Sequence, residues 1–115
     1  MRRDVRAHLA EVVEASELIG RFTAGADFDG YRGDAMMRSA VERQLGVIGG
    51  SLDRLARSDP ALAVRIPDIG TIIGLRDDLT HRYDVIRDEA VWAAITVDLP
   101  GLAAEASTLL AELDG

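Results

Sequence analysis

DAMMRSAVERQLGVIGGSLDRLAR, residues 34–57, is the stretch that decides the fold. Its apolar side chains recur every three or four positions, which predicts an amphipathic helix with one buried stripe: Met37, Val41, Leu45, Ile48, Leu52 and Leu55. Gly46, Gly49 and Gly50 interrupt the interior of this helix, and each costs about 1 kcal/mol relative to alanine. We expect the close approach of another helix backbone to compensate, and a dimer interface would provide one.

The segment before this helix contains another helical pattern and a loop. Residues 4–22 have apolar side chains at helical spacing, with Asp4 as the expected N-cap. Residues 23–33 contain three glycines and two aspartates, which predicts a loop. We expect Phe28 and Tyr31 to hold that loop against the helices.

The segment after it predicts further helices. Asp59 and Pro60 favour a short turn, and a third helix is expected to follow Pro67-Asp68 and to bury isoleucines and leucines between residues 69 and 79. A fourth helix covers residues 90–97, and Pro100 either kinks it or starts a fifth. No segment shows the alternation typical of strands. The sequence therefore predicts an all-α, antiparallel bundle of four to five helices.

Length and composition narrow the class of protein. A chain of 115 residues predicts a single domain over residues 1–115. The net charge of −7 argues against nonspecific nucleic-acid binding, which depends on neutralising phosphates. The chain contains no cysteine, which excludes disulfides and thiolate metal sites and favours a reducing cytoplasm. We find neither a signal-peptide pattern nor an apolar run of membrane-spanning length, so we expect a cytoplasmic protein without a membrane segment.

The groups best suited to chemistry lie in Arg76-Asp77-Asp78-Leu79-Thr80-His81-Arg82-Tyr83. An arginine presents paired donors that match phosphate oxygens, and a histidine with a free pKa of about 6.5 can move a proton at neutral pH. Together they suffice to break an RNA chain without a metal ion. Taken alone, a charged helix end is also typical of a solvated surface.

Spacing limits what one copy of this stretch can do. Arg76 and His81 are five residues apart, so on a regular helix they point about 140° apart. A two-fold homodimer that brings both copies together would correct this. Asp77 is a candidate orienting acid. A metal site built from His8, His81 and carboxylates has no recognised ligand spacing, and we expect neither a metal nor a cofactor.

The stretch resembles the Arg-x4–6-His motif of the HEPN families, helical proteins many of which are metal-independent ribonucleases. Asp77 supplies the polar residue that usually follows the arginine, and His81-Arg82-Tyr83 resembles the narrower HepT branch. The resemblance covers nearly the whole chain. It includes Leu45-Gly46-Val47-Ile48-Gly49, Ile66-Pro67, Val91-Trp92 and Asp98-Leu99-Pro100.

The resemblance implies a function with two parts. HepT-like proteins are toxins of two-gene toxin–antitoxin modules, and their partner is a nucleotidyltransferase of the MntA type that transfers AMP to the motif tyrosine. Arg76, His81 and Asp77 would then form the catalytic set of an endoribonuclease acting on tRNA or mRNA. Tyr83 would become O-AMP-tyrosine, which places negative charge beside Arg76. A larger hetero-oligomer with the antitoxin is left open.

One departure from the family supports a different interpretation. The family often has glutamate after the Ile-Gly pair of the second helix, where this chain has Gly50. If that acid orients the catalytic groups or shapes the dimer, we expect this protein either to be weaker or to use Asp77 or Asp78 instead. The alternative is a non-catalytic helical partner or regulatory subunit of a nucleotidyltransferase.

Overall fold

A computed structural model describes residues 2–115, apart from the side chains of Arg2 and Val85; Met1 lies outside the described residues. Every regular element in residues 2–115 is helical, which confirms the all-α class. In chain order the elements are α1 (Arg2–Phe22), α2 (Phe28–Arg32), α3 (Ala35–Ser58), α4 (Pro60–Ala63), α5 (Ile69–His81), a 3-10 turn (Tyr83–Val85), α6 (Asp88–Ala93), a π-helical turn (Ala94–Asp98) and α7 (Leu99–Asp114).

The helix α3 lies at the centre of the molecule and packs against both α1 and α5, while α7 covers the remaining side of α1. The predicted stripe of α3 is confirmed, since five of its six members are fully buried and Met37 is partly buried. Facing residues of α1 and α7 complete the same core: Val5, Leu9, Val12, Ile19, Leu102, Ala106 and Leu109. Burial of these side chains is the main source of stability for a helix of this kind.

Aspartates begin three of the helices. Asp27, Asp34 and Asp59 each accept a hydrogen bond from a backbone N–H three residues later, at 2.8, 3.0 and 3.1 Å. The first of them starts α2, so the expected loop over residues 23–33 contains a short helix. Asp4 was wrongly expected to be such a cap. It lies in the first turn of α1, where a carboxylate is favoured by the helix dipole.

The aromatic residues of α2 and α6 pack together and fix the short helix. The ring centroid of Trp92 lies 5.3 Å from that of Tyr31 and 6.4 Å from that of Phe28. Tyr31 is fully buried, which confirms that this segment is held against the helices.

Pro100 is the second residue of α7 and follows directly on the π-helical turn. It lacks the N–H that would bond to Thr96, and the turn before it widens into a π-helical turn in which the N–H of Leu99 bonds to the carbonyl of Ala94. The helical path is therefore continuous from Asp88 to Asp114.

That continuous run corrects the expectation that no segment has membrane-spanning length. By length and composition alone Asp88–Asp114 qualifies, since its most apolar 18-residue window has a mean hydropathy of 1.2 with 33% of the window buried. A core helix of a soluble protein passes the same test. Leu99, Leu102 and Leu109 of this run are buried in the protein core.

Candidate functional site

The helix α5 positions the stretch from Arg76 to Tyr83. It is regular from Ile69 to His81, and Ile72 buries it against the core. The N–H of Arg82 bonds to the carbonyl of Asp78 at 2.8 Å and closes the last turn. Because the helix remains regular through its last residue, His81, the directions of its side chains follow the helical period.

Arg76 is held where α5 crosses α3 at Gly49. A Cβ atom built on Gly49 would overlap the Cβ of Arg76, and it would lie 2.8 Å from the Arg76 Cγ and 3.3 Å from the Ile72 carbonyl oxygen. The missing side chain of Gly49 therefore makes room for the arginine stem. This crossing within one chain accounts for Gly49, for which a dimer interface had been considered.

The head of Arg76 reaches towards Asp77. Its Nη1 lies 3.4 Å from the Asp77 Oδ1, and the two side chains are 36% and 57% exposed. At this distance and exposure the pair is weak, because solvent screens it. Asp77 also lines an open groove of about 500 Å³ on the side of α5 that does not contact α3. Gly74 and Ala94 line the same groove.

Arg76 and His81 do not converge within one chain. His81 is exposed at the end of α5, and no hydrogen bond joins it to Arg76 in residues 2–115. Five residues along a regular helix correspond to about 140° of rotation, so the two side chains leave α5 in different directions. One copy of the chain thus presents the Arg76 guanidinium and the His81 imidazole on separate sides.

Tyr83 lies in the turn after α5 and is 62% exposed. Its hydroxyl donates a hydrogen bond of 2.9 Å to the Oε1 of Glu42, which lies in the first third of α3. This bond and the negative charge of Glu42 raise the pKa of the Tyr83 hydroxyl. The chain's other tyrosine, Tyr31, is fully buried, and its burial raises the pKa of that hydroxyl as well.

A groove of about 310 Å³ opens beside Tyr83 between α3 and α5. Arg43 and Gly46 of α3 line one side, and Leu79 and Thr80 of α5 line the other. A Cβ built on Gly46 would meet no atom of the described chain within 4 Å, so this glycine leaves the groove open.

Sequence reasoning missed Glu42 as a functional candidate. It lies 41 residues before Tyr83 and outside the motif, so no local spacing connects the two. Glu42 directly follows Val41 of the buried stripe, about 100° around α3, and this place at the edge of the stripe was the available signal. The glutamate expected from the family resemblance after Ile-Gly corresponds to Gly50 in this chain. A Cβ atom built on Gly50 would lie 3.5 Å from Arg54 Nη1.

His8 does not join the site. It lies in α1, with its Nδ1 3.7 Å from the Glu11 carboxylate. Within residues 2–115, no group of three histidine, aspartate or glutamate side chains is close enough together to hold a metal ion.

Comparison with known proteins identifies the family. A family model described as "HepT-like: Ribonuclease HepT-like" matches residues 12–109. This chain belongs to the HepT-like ribonuclease family. Membership supports a ribonuclease function for the chain, since the family is named for that activity.

Individual relatives agree with this assignment over nearly their whole length. The chain is 30% identical to "Putative RNase MJ0127" and 25% identical to "Putative RNase MJ1216", both of Methanocaldococcus jannaschii, over 99% of this chain and 93% of each relative. It is 29% identical to "Probable ribonuclease HepT" of Thermococcus cleftensis, over 89% of this chain and 92% of the relative. A search of solved structures gave no match.

Proposed function

We propose that this HepT-like ribonuclease is the toxin of a two-gene toxin–antitoxin module and that it cuts cellular RNA, tRNA or mRNA, without a metal ion. The observation that carries the proposal is the end of α5. There, one helix presents a half-exposed arginine, Arg76, seated on Gly49, and an exposed histidine, His81, followed by an exposed tyrosine, Tyr83.

The chemistry needs a proton carrier and a cation. The 2′-oxygen of the RNA attacks the adjacent phosphorus, the bond from phosphorus to the 5′-oxygen breaks, and a 2′,3′-cyclic phosphate forms. A histidine takes the proton of the 2′-hydroxyl or gives one to the leaving 5′-oxygen. Arg76 binds the phosphate and stabilises the negative charge of the transition state.

The working enzyme in this proposal is a two-fold homodimer. Arg76 and His81 leave α5 in directions about 140° apart, so a single chain aims them poorly at one phosphate. Two copies of α5 placed face to face bring the arginine of one chain towards the histidine of the other. The site is then incomplete without the second copy.

Control of the toxin is proposed to act at Tyr83. A cognate MntA-like nucleotidyltransferase antitoxin transfers AMP to its hydroxyl, in the cytoplasm and with release of pyrophosphate from ATP. Exposure supports this acceptor, since Tyr83 is 62% exposed while Tyr31 is fully buried. The negative charge of the added phosphate is expected to repel the RNA backbone from the motif.

Expression of single variants tests the catalytic proposal. We expect His81→Ala and Arg76→Ala to abolish both growth arrest and RNA cleavage by the purified protein, and the wild type to keep cutting in the presence of EDTA. Arg87→Ala is the matched control, because it removes an exposed arginine outside the motif. Cleavage by His81→Ala at the wild-type rate would contradict the mechanism.

The same experiment separates the toxin from the alternative of a non-catalytic partner of a nucleotidyltransferase. The divergence of Arg76 and His81 within one chain is the observation that favours the alternative. A wild-type chain that is neither toxic nor able to cleave RNA would support it.

A further inference from the structure

The bond between Tyr83 and Glu42 places a carboxylate on the hydroxyl that is proposed to accept AMP. Although the tyrosine is largely exposed, its oxygen lies 2.9 Å from Glu42 Oε1, within the distance of a hydrogen bond between oxygens. The carboxylate comes from the first third of α3, a helix whose nearby residues Val41 and Leu45 are buried in the core. The acceptor oxygen is therefore held by a rigid element.

A phenol is a weak nucleophile at neutral pH because its pKa is about 10. To attack phosphorus it must lose its proton as the new bond forms, and a group within about 2.6–3.2 Å of the oxygen is placed to receive that proton. We propose that Glu42 is the general base for AMP transfer to Tyr83, so that the toxin itself supplies part of the machinery that silences it. This inference rests on the proposed function of Tyr83.

The step balances without any further reactant. The Tyr83 oxygen forms a bond to the α-phosphorus of ATP, and the bond from that phosphorus to the bridging oxygen breaks as pyrophosphate leaves. The proton moves from the hydroxyl to Glu42 Oε1 and then to water. In the product the Tyr83 oxygen is esterified to phosphorus and carries no proton, so the hydrogen bond seen in this structure is lost on modification.

The surroundings of the pair fit this order of events. Glu42 raises the pKa of Tyr83, with a smaller contribution from the charge of Asp88, while Arg38 opposes them. The buried hydroxyl of Tyr31 lies near the same charges. The phenol thus stays protonated before the reaction, and its proton leaves only as the bond to phosphorus forms.

The open groove beside the hydroxyl gives the phosphate access. It is lined by Ser39, Arg43 and Thr80, and Gly46 contributes no side chain that would fill it. Arg43 is the cation in this lining and is placed to attract the triphosphate. Access, a fixed acceptor oxygen and a carboxylate base therefore meet at one point of the surface.

The test compares Glu42→Gln with the wild type in the presence of ATP and the proposed MntA-like nucleotidyltransferase, with intact mass followed over time. Glutamine keeps the shape and an acceptor oxygen but is not a base. General-base catalysis contributes about 10²–10⁴-fold, so we expect transfer to slow by at least about 10²-fold. Glu42→Asp, which restores a carboxylate, is expected to recover part of the rate.

Asp53→Asn is the matched control, because it removes the same charge from α3 at a carboxylate that pairs with Arg57 at 3.2 Å and lies about three turns along the helix from Glu42, about 16 Å away. It should accept AMP at the wild-type rate. Thermal unfolding of each variant establishes that the fold is retained.

The dependence on pH separates a base from a mere anchor. With glutamine at position 42, the main cause that raises the Tyr83 pKa is gone, so the pKa falls towards its ordinary value, which an absorbance titration of the phenol measures without any partner. Transfer to Glu42→Gln should then rise with pH as phenolate forms, and the difference from the wild type should shrink. An anchoring role predicts a deficit that is the same at every pH.

The outcomes distinguish the two proposals. Transfer to Glu42→Gln at the wild-type rate overturns the base while the modification of Tyr83 stands. Equal AMP loading of Tyr83→Phe and the wild type overturns the proposed acceptor, and the base with it. An unmodified wild-type chain beside an active partner enzyme does the same.

Discussion

The two sides of α5 differ sharply in how closely they are packed. On one side the helix presses against α3, and Gly49 touches the stem of Arg76 so closely that a methyl group would not fit. On the other side Gly70 and Gly74 face an open groove, and a Cβ on either would meet no atom of residues 2–115 within 4 Å. Glycine therefore allows a close helix crossing on the α3 side and leaves the surface open on the other side.

This difference shows how the protein positions its arginine. The closed side fixes the backbone and the first carbons of Arg76, so only the outer part of the side chain remains to be oriented. The open side carries Asp77 and leaves the helix accessible to another molecule. The catalytic proposal needs both properties, a fixed arginine and an accessible helix.

The largest effect is expected from Gly49→Ala on the closed side. Overpacking costs up to about 3 kcal/mol, and the helix propensity of alanine returns about 1 kcal/mol. We therefore expect the free energy of unfolding in urea to fall by about 1–2 kcal/mol, and RNA cleavage to fall as Arg76 shifts.

Gly46→Ala is the control on the same helix, because its Cβ would point into open space. It should raise the free energy of unfolding by up to about 1 kcal/mol. Equal effects of the two substitutions would contradict the close crossing at Gly49.

A smaller effect of opposite sign is expected from Gly74→Ala on the open side. With no neighbour to displace in the described chain, alanine should raise the free energy of unfolding by up to about 1 kcal/mol. Urea denaturation at two protein concentrations measures it. A loss of stability would show that another molecule, such as a second copy, packs closely on this side.

The smallest effect is expected from Asp77→Asn. An exposed ion pair contributes about 0.2–1 kcal/mol, and about 1.4 kcal/mol corresponds to a tenfold change. If Asp77 only orients Arg76, the rate of RNA cleavage should fall by less than about tenfold. A loss of about a hundredfold or more would mean that Asp77 acts on the substrate itself.

Much of the fold follows from the local pattern of the sequence. The stripe of α3, the regular course of α5 and the aspartate caps at Asp34 and Asp59 all arise from spacing and short-range hydrogen bonds. The helix α2 was missed because glycine and aspartate around Phe28 favour a loop locally, while packing on Trp92 stabilises the helix.

The candidate site was only partly accessible from the sequence. The motif supplied Arg76, Asp77, His81 and Tyr83, and the helical period showed that the arginine and the histidine diverge. Glu42 could not be found in this way, since only the crossing of α3 and α5 brings it to Tyr83. Roles for the four motif residues remain predictions, because they depend on a substrate, a second copy and a partner enzyme.

The most direct test of the central claim, that each chain carries half a site, is cleavage by a mixed dimer. Arg76→Ala and His81→Ala chains with different tags are co-expressed, and the dimer that contains one of each is purified. We predict that each variant alone is inactive and that the mixed dimer cuts RNA, because it keeps one Arg76 and one His81 in a shared cleft. A mixed dimer as inactive as its parents, or full activity in a monomeric wild-type chain, would contradict the claim.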